Sequence, residues 1–230
     1  MTALTASVSF PDQPGLRDRQ KARRRDEIIA AAKDLFTKSG IDATTMADIA
    51  AAAEVSAPTV FNYFGSKDGI LIAMITEGTL AAREGDRALH WRDGTDLTGL
   101  IALLFRRVST RTLEIAGKRV WRYAEAAAIR HPETDLAREY NAVSNALVLV
   151  ITEFFADLDL TLRAGRDCAP EYLAGLFHDL WMPCFIQLIT HEGQTLAQHS
   201  AILHDRIAPL VDLLFTDDCI TNPRRRDTRA

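Results

Sequence analysis

Residues 44–75 read TTMADIAAAAEVSAPTVFNYFGSKDGILIAMI, and their punctuation decides the fold. Thr44 or Thr45 supplies the hydroxyl that caps a helix start, and Met46, Ile49, Ala50 and Ala53 then recur at three- and four-residue spacing. Asp48, three residues after Thr45, completes a capping box with Asp in place of Glu. Ser56 can cap a second short helix, with Pro58 in its first turn where a missing N–H is harmless. Val55 before that cap and Val60 after it are spaced as a hydrophobic staple. Ser66 can cap a third helix that opens with Lys67 and Asp68 and carries Ile70, Leu71, Met74 and Ile75. Two short helices joined at Ala53, Glu54 and Val55 form a helix-turn-helix, a unit whose second helix fits the DNA major groove.

Upstream, the stretch from Arg17 to Gly40 begins with six basic residues, Arg17, Arg19, Lys21, Arg23, Arg24 and Arg25, against one acidic, Asp18. Ile28, Ile29, Ala32, Leu35 and Phe36 then fall at helical spacing, and Ser39-Gly40 is a helix stop. Residues 1–17 contain Pro11, Pro14 and Gly15 and read as a disordered leader. Downstream, helical periodicity continues with little strand-like alternation. It predicts helices at about 67–86, 96–115, 117–130, 134–158, 170–192 and 197–215. Pro183 and Pro209 demand local kinks or early stops in the last two. The polar end, residues 217–230, reads as a flexible tail. The expected class is all-α: a helix-turn-helix domain at 18–66 followed by a helical regulatory and dimerisation domain at 67–216.

A chain of 230 residues, 47% hydrophobic, buries about 70% of its unfolded surface and needs no disulfide or structural metal. Whole-chain disorder is excluded. Cys168, Cys184 and Cys219 form no CxxC, and neither a signal-peptide pattern nor a run of about 18 apolar residues accompanies them, so the chain reads as cytoplasmic and without membrane contact. No GxSxG, P-loop, GxGxxG in strand-helix context or HExxH occurs, and His178, Cys184 and His191 lack zinc-site spacing. The expectation is therefore no enzyme, no catalytic residues, no metal and no cofactor.

The 55 or so residues from Arg19 to Met74 resemble the TetR family of transcriptional regulators, on TTMADIAAAAEVSAPTVFNYFGSKDGIL and the preceding basic helix ending in LFTKSG. The resemblance implies a three-helix DNA-binding domain, a helical domain for ligand binding and dimerisation, and a repressor released from a palindromic operator by a small-molecule effector. Two departures stand out. Phe61 replaces a common Tyr whose hydroxyl reaches a phosphate, and Glu54 stands where Gly is common, at a cost of roughly 1 kcal/mol if the backbone there is left-handed. These departures also fit an alternative, a helical small-molecule carrier with a vestigial DNA-binding domain. An effector-independent regulator or activator is a further reading.

By resemblance and position, Thr44, Thr45, Tyr63 and Lys67 are phosphate-contact candidates, and the basic segment around Arg23 can reach phosphates or a flanking minor groove. Ala57, Pro58, Thr59 and Asn62 are the base-reading candidates, while Val60, Phe61 and Phe64 are expected in the core. In the second domain Trp121, Tyr140, Asn141, Asn145, His178 and Trp181 suit a mostly apolar ligand pocket with a few polar groups; plain packing suits the same residues. Helices 170–192 and 197–215 carry enough apolar surface for a two-fold, four-helix homodimer interface. The net charge of −4 does not oppose a DNA partner, because residues 1–67 hold nine Lys plus Arg against eight Asp plus Glu. The acidic excess lies in the remainder of the chain.

Overall fold

The computed structural model describes residues 15–85 and 94–226. Its helices are α1 (Leu16–Ser39), α2 (Met46–Ala52), α3 (Ala57–Phe64), α4 (Lys67–Gly85), α5 (Leu97–Ile115), α6 (Lys118–Arg130), α7 (Asp135–Ala156), α8 (Pro170–Thr190), α9 (Leu196–Leu214) and α10 (Asp217–Thr221). The expected leader at 1–17 lies outside the described residues up to residue 14, and Leu16 and Arg17 already belong to α1. The all-α class holds.

The second helix starts where local chemistry dictates. The Thr45 backbone N–H donates to Asp48 Oδ2 at 2.8 Å while Asp48 N–H donates to Thr45 Oγ1 at 3.1 Å, a reciprocal capping box. Those bonds hold the Asp48 carboxyl below its usual pKa, the Thr45 backbone N–H contributing most and its hydroxyl next. At the other end, Glu54 takes φ 53°, Glu54 N–H bonds to Ala51 O at 3.2 Å and Val55 N–H to Ala50 O at 2.9 Å. This is a Schellman turn, and it reverses the chain so that Ser56 can begin α3. A Glu in this left-handed position costs about 1–2 kcal/mol relative to Gly.

Ile28, Ala32 and Phe36 of α1, Ile49 and Ala50 of α2, Val60 of α3, and Ile70, Leu71, Met74 and Ile75 of α4 are all buried. They continue without a break into a second core region in which α7 packs chiefly on α8 and α5 on α9. α4 belongs to both regions. α8 is long and apolar enough to cross a membrane by length and composition, but half of its apolar window is buried among the other helices. Both α8 and α9 continue past Pro183 and Pro209 instead of stopping there.

The expected flexible tail needs correction. Residues 217–221 form α10 with Cys219 buried, and Arg224–Arg225 (β2) pair antiparallel with Leu158–Asp159 (β1). Leu158 is itself buried, so the pairing closes the polar edge of a segment anchored in the core. Residues 227–230 lie outside the described residues.

The junction of α3 with α4 is tight. Ser66 Oγ caps α4 by accepting from Gly69 N–H at 3.1 Å, and a Cβ on Gly69 would overlap the Phe64 carbonyl oxygen. Because the obstacle is backbone, Gly69→Ala should shift α3 against α4. The expected loss is about 1–3 kcal/mol, read in urea unfolding at fixed protein concentration. An unchanged midpoint would refute the overlap.

Candidate nucleic-acid interface

The helix-turn-helix presents a narrow outward face. On α3, Val60 is fully buried and Ala57 and Thr59 are half-buried, which leaves Pro58, Phe61 and Asn62 exposed. Of the expected base readers, Pro58 and Asn62 stand free, whereas the Thr59 hydroxyl is engaged with Ser56 Oγ at 2.8 Å and Thr59 N–H bonds to the same oxygen. The assignment of Phe61 to the core is corrected: its side chain is 51% exposed. At about 100° per residue Phe61 sits some 80° from the centre of the stripe set by Val60 and Phe64, outside the buried arc.

Among the phosphate candidates, Thr45 is exposed at the N-terminus of α2, where free backbone N–H groups favour an anion. Thr44 is 2% exposed and its hydroxyl donates to Gly40 O at 2.7 Å, so its side chain serves the α1–α2 turn rather than the surface. Lys67 is half-buried and its Nζ donates to Ile41 O at 2.7 Å, tying α4 to the same turn. Tyr63 is half-buried, with its ring 6.1 Å from that of Phe64.

The basic segment forms the first turns of α1. Arg17, Arg19, Lys21, Arg23 and Arg24 are exposed, and Arg23 lies 3.4 Å from Glu27 in an open i,i+4 pair worth little in water. Arg25 differs from the rest. Its guanidinium lies 5.4 Å from the centroid of the Phe64 ring and pairs with Glu77, so it joins α1, α3 and α4. The sequence shows it only as one more member of a charge run.

Further contacts join this unit to the remaining helices. Lys33 Nζ donates to Glu114 O, Arg119 to Lys38 O at 2.8 Å, Tyr123 Oη to Asp68 Oδ1 at 3.3 Å and Thr76 Oγ1 to Glu139 Oε1 at 2.7 Å. Burial and the neighbouring Asp68 push the Tyr123 phenol up. A cleft of about 500 Å³ opens beside Lys33, between Ile29 of α1, Met74 and Glu77 of α4, and Glu114 and Ile115 of α5.

The expected ligand-pocket residues divide into two groups. Trp121, Tyr140, His178 and Trp181 are buried and come together: Trp121 lies 6.3 Å from Tyr140, Phe185 sits 4.8 Å from Trp181, and His178 is 5.8 Å from Trp181 between ring centroids. Burial pushes the Tyr140 phenol strongly up, helped by a hydrogen bond to Glu125. His178 Nε2 lies 3.2 Å from Ser144 Oγ. Asn141 and Asn145 do not join them. Both are exposed, because α7 turns Leu136, Ala137, Tyr140 and Ile151 inward and leaves those asparagines on its outer face.

Residues 28–74 match the model of the bacterial regulatory proteins of the tetR family. The transcriptional regulator TcmR of Streptomyces glaucescens is 43% identical over 86 residues, which span 36% of this chain and only 38% of that protein. LuxR of Vibrio harveyi is 25% identical over 173 residues, covering 72% of this chain and 78% of LuxR. The crystal structure of Thermus thermophilus FadR, a TetR-family repressor in complex with lauroyl-CoA, superposes with a TM-score of 0.51 at 20% identity over 90% of this chain and 98% of FadR. With the matched segment lying within α1–α4, the chain carries the N-terminal domain of the tetR family of bacterial regulatory proteins, and over nearly its whole length it shares the fold of TetR-family regulators.

Proposed function

We propose that the protein is a homodimeric DNA-binding repressor, released from a pseudo-palindromic operator by a small-molecule effector. The observation that carries the reading is the exposed Pro58–Phe61–Asn62 face of α3, anchored from behind by Val60, in a unit whose α1 opens with the exposed Arg17, Arg19, Lys21, Arg23 and Arg24. Arg17 and Arg19 in the first two turns of a helix work against its macrodipole, so an anionic partner compensates what the isolated helix lacks. Arg23 and its basic neighbours, with Thr45, Tyr63 and Lys67, supply phosphate contacts, and Asn62 pairs with an adenine edge. The domain division at residues 66 and 67 belongs to this reading, with α4 as the shared element.

Tyr172 and Leu213 are 68% and 75% exposed on α8 and α9, and such apolar surface supports a two-fold four-helix interface between copies. That symmetry places two recognition helices in successive major grooves about one helical turn apart. Effector release is a population shift, limited by the ligand's differential affinity for the two spacings. FadR's lauroyl-CoA supports a small-molecule effector here.

Binding of the full-length protein to genomic fragments across a salt titration tests the reading. A repressor retains a sequence-selective fraction as nonspecific binding falls, whereas a carrier has none. On the selected site, Asn62→Ala should cost about 1–3 kcal/mol and relax preference at one base pair per half-site. Uniform weakening on all sequences would remove Asn62 from the readout. Loss of operator binding on adding a bound ligand tests the effector step, and persistent operator binding with that ligand demonstrably bound argues against it.

A further inference from the structure

We propose that Phe61 reads sequence directly, by packing its ring against the C5-methyl group of a thymine in each operator half-site. This rests on the DNA-binding reading above and specifies the chemistry of that same face.

The surface α3 offers is mostly apolar. Thr59 has its hydroxyl committed to Ser56 and Ala57 is half-buried, so the outward side chains are Pro58, Phe61 and Asn62. Only Asn62 brings hydrogen-bonding atoms to the groove. A Phe ring cannot serve a phosphate, and half of this one stands outside the fold although Val60 and Phe64, one residue before and three after it, turn toward the core. In the major groove the apolar feature of a base edge is the thymine methyl, which distinguishes A·T and T·A pairs from each other and from G·C. Pro58 lies three residues before Phe61, one turn away on the same face, and widens the apolar patch. The half-site therefore contains a thymine against Phe61 and, on the adjoining step, an adenine for Asn62.

The test begins with selection of duplexes from a random pool by the full-length protein. Each thymine of the selected site is then replaced singly by deoxyuridine, which removes the methyl and keeps the pairing. Wild-type affinity should fall about fourfold at one thymine per half-site, and about 15-fold when both half-sites are substituted, the worth of one buried methyl at each. Phe61→Ala should bind thymine and deoxyuridine duplexes equally at that position, and Phe61→Leu should give an intermediate ratio, which keeps the comparison readable if the alanine variant fails to fold. Insensitivity to deoxyuridine at every thymine, or an undiminished penalty in Phe61→Ala, overturns the proposal while leaving DNA binding intact. A pool with no enrichment overturns the DNA-binding reading and this one with it.

Discussion

Trp181→Ala is expected to lower stability by about 3–5 kcal/mol, the range for truncating a fully packed large aromatic. Trp181 is 3% exposed and its ring stacks on Phe185 at 4.8 Å and on Phe105 at 6.0 Å, so truncation opens a void between α5 and α8. Its Nε1 also donates to Ser109 Oγ at 2.9 Å inside the core. Trp181→Phe keeps most of the packing and loses the donor, for about 1 kcal/mol. Urea unfolding at one protein concentration measures both, since dimer formation would make stability depend on concentration. A loss below about 1 kcal/mol for the alanine variant would mean that the aromatic cluster does not hold these helices together.

Legibility in the sequence followed the range of the interaction. The Thr45–Asp48 box, the Ser56 cap and the turn at Glu54 depend on neighbours within five residues, and the structure places all three where their spacing predicts. Phe61 was harder, because a helical stripe fixes the centre of the buried face and not its width. Asn141 and Asn145 lie on a helix the periodicity found, yet α7 also carries the exposed Leu149 and Val150, so its apolar residues do not mark a single inward face by type alone. The pairing of Leu158 with Arg225 joins residues far apart in the chain, and a polar NPRRR segment carries no trace of it. Several cations also read alike. Lys33, Lys67 and Arg119 look like surface charge, but their donors satisfy carbonyls at helix ends or turns and tether one element to another.

The buried histidine that shares the Ser109 hydroxyl with Trp181 makes the folded state sensitive to acid. His199 is fully buried, its Nε2 lies 2.8 Å from Ser109 Oγ, and its Nδ1 has no hydrogen-bond partner among the described residues. Burial pushes its pKa down to about 4, with Lys118 adding repulsion and the Cys184 carbonyl opposing. In the unfolded chain the same imidazole titrates near 6.5. Between those values the unfolded state binds a proton that the folded state refuses, so stability falls as pH falls. The loss begins near pH 6.5, proceeds at up to about 1.4 kcal/mol per pH unit and totals on the order of 3 kcal/mol by pH 4. Above pH 6.5 the group contributes no slope. Carboxylates of the unfolded chain begin to take up protons at the acid end of the same range, so the measurement is the difference between wild type and His199→Gln in unfolding free energy from pH 7.5 to 4. That difference should shrink steadily through the acid window as the wild type alone carries the histidine's penalty. A difference constant across the range would show that His199 takes up its proton as readily inside the fold as outside it.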